Sequence, residues 1–165
     1  MDATLAIINE LESRGIIERY AIGGAIGLLF YTEPVLSYDL DIFCFLPVSP
    51  GNLVSLTPIY DYLRGIGCQE DREHIIISGI PVQFIPAYNP LIVEAVQMAV
   101  QQQFKSVPTR VLRYEHLLAI MAQTDRSKDR VRLAQVLEER KPDEEFLRDL
   151  LGRHGLLARW QARGG

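Results

Sequence analysis

Hydrophobic positions along this chain change their period several times, and each change marks an element. Leu5, Ile8 and Leu11 recur at helical spacing, with Ile16-Ile17 beyond them. They predict an amphipathic helix from about Asp2 to Ser13, stopped near Gly15. A short strand through Tyr20 to Ile22 then meets Gly23-Gly24, after which Ala25, Ile26, Leu28, Leu29 and Phe30 make a compact apolar helix ended by Pro34 and its neighbours. Strand, double glycine, helix is the first recognisable unit.

The segment Tyr38 to Leu46 reads as a strand that does not simply alternate. Asp39, Asp41, Phe43 and Phe45 share one face, while Leu40, Ile42, Cys44 and Leu46 share the other. Beyond Asp41 it is apolar on both sides, which predicts a central place in the sheet. Pro47 to Asn52 form a turn, and Leu53 to Leu63 have helical spacing up to Gly65 and Gly67. His74 to Ser78 and Pro81 to Ile85 flank Gly79 as a hairpin, with Pro81 tolerated at a strand start or edge.

From Asn89 the period returns to helical through Leu91, Ile92, Ala95, Val96, Met98, Ala99 and Val100, with Pro90 opening the first turn. An extended segment, Val107 to Leu112, follows. Glu115 to Ala122, Arg126 to Glu139 and Glu144 to Arg153 are three helical stretches, and Leu156 to Ala162 adds a short fourth. The pattern predicts an α/β (α+β) fold, a mixed sheet flanked by helices, with no internal repeat. A single domain over residues 1–165 is expected, its sheet-containing core in about 1–112 and a helical part in about 113–165.

Composition narrows the function classes. With 165 residues, 48% of them hydrophobic, the chain can bury one sizeable core. Its longest apolar stretch, Ala21 to Phe30, is about half of the roughly 20 residues a membrane helix needs, so no membrane span is expected. The start Met-Asp-Ala-Thr-Leu has no basic region before an apolar run, and a cytoplasmic address is expected. Cys44 and Cys68 have neither metal nor disulfide spacing and read as free thiols. A formal net charge of −4 argues against broad binding of duplex nucleic acid through its phosphates. Two local basic groups remain, Lys105 with Arg110 and Arg113, and Arg126 with Lys128, Arg130 and Arg132; either is a candidate groove or an ordinary solvated face.

The acidic pair carries the chemistry. Residues two apart on a strand point the same way, so Asp39 and Asp41 place two carboxylates about 7 Å apart along the backbone, a hard-oxygen arrangement. Magnesium is commonly held by one or two carboxylates together with water and substrate phosphates, so the pair suits a metal-bound nucleoside triphosphate. Two acids at the mouth of a strand buried on both faces cost desolvation and mutual repulsion unless a cation or donors compensate. Gly23-Gly24 follows a strand and opens a helix, where bare backbone can approach a ligand and aim amide groups at phosphate.

Tyr20-Ala21-Ile22-Gly23-Gly24-Ala25 followed by Asp39-Leu40-Asp41-Ile42-Phe43 resembles the signature of the DNA polymerase β-like nucleotidyltransferase superfamily. The nearest resemblance is to the small bacterial branch related to type IV toxin-antitoxin nucleotidyltransferase-like toxins, whose helical pattern is matched by Glu115-His116-Leu117-Leu118-Ala119 and Arg126-Ser127-Lys128-Asp129-Arg130. The resemblance spans roughly residues 18–139. It implies that Gly23 and Gly24 contact nucleotide phosphates and that Asp39 and Asp41 bind Mg2+. It further implies transfer of a nucleoside monophosphate from a triphosphate to an acceptor hydroxyl on RNA, protein or a small molecule, and an antitoxin-like protein partner.

The chain departs from the superfamily pattern at two points. The third acid on a later strand is matched by Gln83, which can hydrogen-bond a ligand but cannot act as a base or hold a second metal. A lysine that many relatives of this branch carry before the Arg-x-Lys-Asp segment is matched by Met121, and Lys128 is the candidate replacement. The departures make a binding protein that has lost transfer activity the alternative function. His74, His116 and His154 lack metal-ligand spacing. Glu33 and Glu94 are candidate substitute acids, and Tyr60, Tyr62, Tyr88 and Trp160 are candidates to stack a base or to fill the core.

Overall fold

The computed structural model describes residues 1–33 and 36–163. The helix stop assigned to Pro34 lies outside the described residues. The chain opens with helix α1 (Asp2–Ser13), strand β1 (Arg19–Ile22), helix α2 (Gly24–Leu28) and strand β2 (Leu40–Phe45). Next come α3 (Thr57–Gly65), β3 (Gln69–Asp71), β4 (His74–Ile77), β5 (Ile80–Pro86) and α4 (Pro90–Gln97). The remainder is β6 (Val100–Phe104), β7 (Val107–Val111), α5 (Tyr114–Thr124), α6 (Ser127–Glu139), α7 (Glu144–Arg153) and α8 (Leu157–Gln161). None of the described helices is long and apolar enough to cross a membrane.

Among the described residues the strands form one mixed sheet in the order β3-β4-β5-β2-β1-β7-β6. Strand β2 is central, as its two apolar faces require. It runs antiparallel to β1, with Ile22 opposite Ile42, and parallel to β5, with Asp41 opposite Gln83. Leu40, Ile42 and Cys44 face a core shared with Leu5, Ile8 and Leu11 of α1 and Ile59 and Leu63 of α3. Phe43 faces a second core with Ala21, Leu91 and Ile92 of α4, Leu117 and Leu118 of α5, and Leu147 and Leu150 of α7. Helix α5 is buried from Tyr114 to Ala122 because α2, α4, α6 and α7 pack around it, and Leu117 and Leu118 join Phe43 and Ala21 of the sheet in one core.

Several boundaries differ from the sequence expectation. Helix α2 ends at Leu28 rather than Phe30. The expected helix from Leu53 begins instead at Thr57, where Ser55 accepts the Thr57 amide and Pro58 supplies a first-turn φ. Ser49 and Leu53 form an isolated bridge, and Leu53 and Val54 are exposed, so their apolar character marks no helix face. Asn89 caps α4 by accepting the Ile92 amide, as the Asn-Pro pair suggests, but the helix stops at Gln97 and Val100 opens a strand. Both cysteines are free thiols. The grouping of Lys105, Arg110 and Arg113 is not a groove. Lys105 bonds Asp2, Arg110 grips Glu12 with two nitrogens, and Arg113 stacks over the Phe146 ring.

Candidate active site

The glycine turn and the acidic strand are built around each other. The Gly23 amide donates to the Asp41 carbonyl at 2.9 Å, fixing the end of β1 against β2. Gly24 has φ +57°, and a Cβ there would run into the Asp41 carboxylate, while a Cβ on Gly23 would run into the Phe43 ring. Two successive residues without side chains are therefore required by what β2 presents across the turn.

A cleft of about 400 Å³ opens beside Asp41. Gly24, Asp41 and Gln83 form its sheet side, and Met121, Arg126, Asp129 and Arg132 stand on the helical side. Gln83 sits directly across from Asp41 on the parallel neighbour strand, so both side chains share the face that opens into the cleft. Phe43, Ile92 and Leu117 supply part of an apolar lining.

Asp41 is costly in its charged form. Burial and the negative Asp39 raise its pKa to about 6, against the opposing pull of Arg126, Lys128 and Arg132. Asp39 differs from the expectation that placed it inside the strand. The ladder to β5 begins at Leu40, leaving Asp39 one residue before it. Burial raises the Asp39 pKa, but the Ser37 hydroxyl, its own amide, Lys128 and His74 outweigh that effect and hold it below the ordinary value. Ser37 donates to its carboxylate at 3.1 Å, and His74 Nε2, which has no hydrogen-bond partner, lies 3.6 Å from it. Asp39 acts on Asp41 through charge without being part of the cleft wall.

Asp129 also lines the cleft, although the sequence presents it only within the Arg126-Ser127-Lys128-Asp129-Arg130 segment and gives it no role of its own. It is 1% exposed and accepts from Arg126 Nε at 2.7 Å, Arg126 Nη2 at 3.2 Å and the Thr124 hydroxyl at 2.8 Å. This clamp holds Arg126 where it feels the charge of both Asp41 and Asp39. The available signal was the stripe of Asp129, Leu133 and Val136 on α6, three buried positions at helical spacing that set one acid apart from its solvated neighbours.

The remaining candidates fall into place around this centre. Gly23 lies beneath Phe43 and outside the cleft wall. Lys128 is exposed and also outside the wall, near enough to lower the pKa of both aspartates. Tyr88 is the one aromatic of the four proposed base stackers that lines the cleft; Tyr60 and Tyr62 pack against the α1 and α3 core, and Trp160 against the C-terminal helices. Glu94 is no substitute acid, because Arg153, His154 and His116 surround it away from the cleft. Glu33 lies outside the cleft wall, with its amide bonded to Glu139.

The donor chemistry fits magnesium. Two aspartates two residues apart offer hard oxygens, and the penalty on charged Asp41 is one that a bound cation relieves. Among the described residues no cluster of three or more histidine, cysteine or acidic side chains could hold a metal. A divalent ion there would complete its shell with water and ligand phosphate, as magnesium commonly does.

No family model matches the chain, and a search of curated proteins finds no match. Solved structures do resemble it. An antigenic nucleotidyltransferase-like protein from Paracoccidioides brasiliensis aligns with a TM-score of 0.58 and 13% identity over 91% of this chain and 84% of that one. The antibiotic-resistance factor ANT(2″)-Ia aligns in its solution structure with a TM-score of 0.52 and 16% identity, over 98% of this chain and 96% of that one. Its crystal structure in complex with adenylyl-2″-tobramycin aligns with a TM-score of 0.50 and 14% identity, over 94% and 98% of the two chains. With its mixed sheet, its glycine turn and the acidic strand beside it, this chain has the nucleotidyltransferase-like fold.

Proposed function

We propose that the protein is a magnesium-dependent nucleotidyltransferase that moves a nucleoside monophosphate from a triphosphate to an acceptor hydroxyl. The observation that carries this reading is the convergence of Gly24, the half-buried Asp41 and the Asp129-clamped Arg126 on one cleft. Asp41 and Asp39 would hold Mg2+. When bound, the metal neutralises phosphate charge and helps align the attacking and leaving oxygens. The Gly24 backbone leaves room for phosphate, and Arg126, held rigid by Asp129, meets its charge. Gln83 beside Asp41 orients the ligand by hydrogen bonding, and Lys128 adds positive field from outside the wall.

The acceptor differs in class from the one named for ANT(2″)-Ia. The wall carries Asp41 and Asp129 against Arg126 and Arg132, so it offers no net negative charge to a polycation such as an aminoglycoside. A neutral or anionic acceptor fits better. The segments resembling the toxin-antitoxin branch form α5 and the start of α6 beside the cleft, which keeps that branch and an antitoxin-like partner within the proposal.

Gln83 supports a second reading, a nucleotide-binding protein without transfer. The position opposite Asp41 holds an amide that cannot accept a proton as a base. Two measurements separate the readings. Magnesium with a nucleoside triphosphate should raise the melting temperature of the wild type and leave Asp41→Asn unchanged; no rise with any triphosphate sinks both readings. Incubation of wild type with labelled triphosphates and cell extract should then move label to an acceptor, and binding without labelling leaves the second reading standing.

A further inference from the structure

The two edges of the sheet are unlike each other. At one end β3 is short, and its Gln69-Glu70-Asp71 sequence places two carboxylates on the edge. Short length and charge are the usual means of preventing strands from pairing between molecules. At the other end β6 reads Val100-Gln101-Gln102-Gln103-Phe104, with no charge and no proline.

The hydrogen-bonding parity of this edge follows from its neighbour. The Leu112 amide donates to the Ile22 carbonyl, so alternate residues Arg110 and Pro108 also direct their backbone groups toward β1. Val107, Thr109 and Val111 therefore bond to β6, through Phe104, Gln102 and Val100. Pro108 lies opposite Gln103, in a pair that exchanges no ladder bond, and so costs β6 nothing. The backbone amides and carbonyls of Gln101 and Gln103 point out of the sheet.

We propose that β6 is a self-pairing edge through which two copies of this chain associate, antiparallel about Gln102. The strand is self-complementary in that register. Gln101 of one copy lies opposite Gln103 of the other, and those are the residues with outward backbone groups, so each pair exchanges two backbone hydrogen bonds. Val100 lies opposite Phe104 of the second copy. Val100 is 40% exposed in the single chain, and Phe104 borders an apolar groove of about 130 Å³ lined by Met1, Leu29 and Phe30, which gives the incoming Val100 an apolar seat. Lys105 falls beyond the paired region, engaged with Asp2, so no like charges oppose each other across the axis. A charged strand from another protein gains nothing from this neutral edge, whereas a second copy matches it at every position. Five paired residues make a small interface, so the dimer is expected to exchange with monomer.

Sedimentation of the full chain across a concentration series tests this. Wild type should shift from monomer to dimer as concentration rises toward ~1 mM. Gln103→Pro removes an outward amide while leaving the bonds to β7, and should remain monomeric. Gln102→Lys and Gln102→Glu place like charges opposite each other at the axis, and each should be monomeric alone while their mixture restores a dimer. Circular dichroism and melting temperature should match wild type for both Gln102 variants, which keeps the test valid if the proline variant fails to fold. A wild type that stays monomeric throughout, a dimer that survives in Gln103→Pro, or a Lys/Glu mixture that stays monomeric overturns the proposal.

Discussion

Gly24 and Asp41 constrain each other, and the constraint is measurable. Gly24→Ala would both force a Cβ onto a backbone at φ +57° and press it against the Asp41 carboxylate. A left-handed conformation alone costs about 1–2 kcal/mol for a residue with a Cβ, so the variant should lose at least that much stability in urea. Most of the additional loss should disappear in an Asp41→Ala background, giving a coupling between the two sites in a double-mutant cycle. Asp41 itself is expected to trade stability for function. Its pKa is raised to about 6, so the stability contributed by its protonated form is complete below the unfolded value near 4 and is lost as pH rises through about 6. Asp41→Asn is neutral throughout. Without magnesium its melting temperature should exceed that of wild type at pH 7, and the gap should close as pH falls from about 6 to 4. A gap independent of pH would assign the cost to packing rather than to charge.

Helices α4, α5 and α7 meet at a single carboxylate. Glu94 of α4 accepts two bonds from Arg153 at 2.7 and 2.9 Å and lies 2.8 Å from His154 Nε2, with the buried His116 of α5 at 3.4 Å. Hydrogen bonding from Arg153, joined by His154 and His116, pulls the Glu94 pKa down to about 2 from an ordinary 4.5. Its stabilisation is therefore present above about pH 4.5 and lost as pH falls toward 2. Glu94→Gln should cost about 1–3 kcal/mol in urea unfolding at pH 7 and less at pH 3. Loss of the network should loosen α7 before it loosens the sheet. The elements of this region were legible in the sequence because α5, α6 and α7 carry strong helical periodicity, whereas the Glu94 network joins residues about 60 positions apart and has no local signature. Strands β3 and β6 escaped the sequence reading for the opposite reason. Gln69-Glu70-Asp71 and Val100 to Phe104 lie on sheet edges where few side chains are buried, so no apolar alternation marks them. In the site, the pairing of Gly23-Gly24 with Asp41 could be expected from the chain, and its cause, the Asp41 and Phe43 side chains lying over the turn, could not. Periodicity alone also does not tell which basic residues of the 126–132 run reach the cleft; Arg126 and Arg132 do, and the buried Asp129 fixes the position of Arg126.

At the scale of the whole molecule, the cleft exists because two parts of the chain share one core. Phe43 and Ala21 of the sheet pack in the same cluster as Leu117, Leu118, Leu147 and Leu150 of the C-terminal helices. Removing those helices would expose the apolar face of β1 and β2, and removing the sheet would uncover α5, whose residues from Tyr114 to Ala122 are buried. The sheet keeps a second core on its other face, against α1 and α3. The C-terminal helices have no interior apart from the shared one, and β1 and β2 line both cores, so the chain should unfold as a single cooperative unit. Trp160, the chain's only tryptophan, packs against the C-terminal side of this shared core and reports on that part by fluorescence. Hydrogen exchange in peptides covering β2 and β5 reports on the sheet. The two probes should give the same midpoint in urea, and magnesium with a nucleoside triphosphate should move both by the same amount, because a ligand held between Asp41 and Arg126 bridges the two parts. Separate midpoints would mean that the C-terminal helices detach before the sheet melts. A ligand shift confined to the sheet probe would place the bound phosphates on the glycine turn alone, and Arg126 would then have no part in holding them.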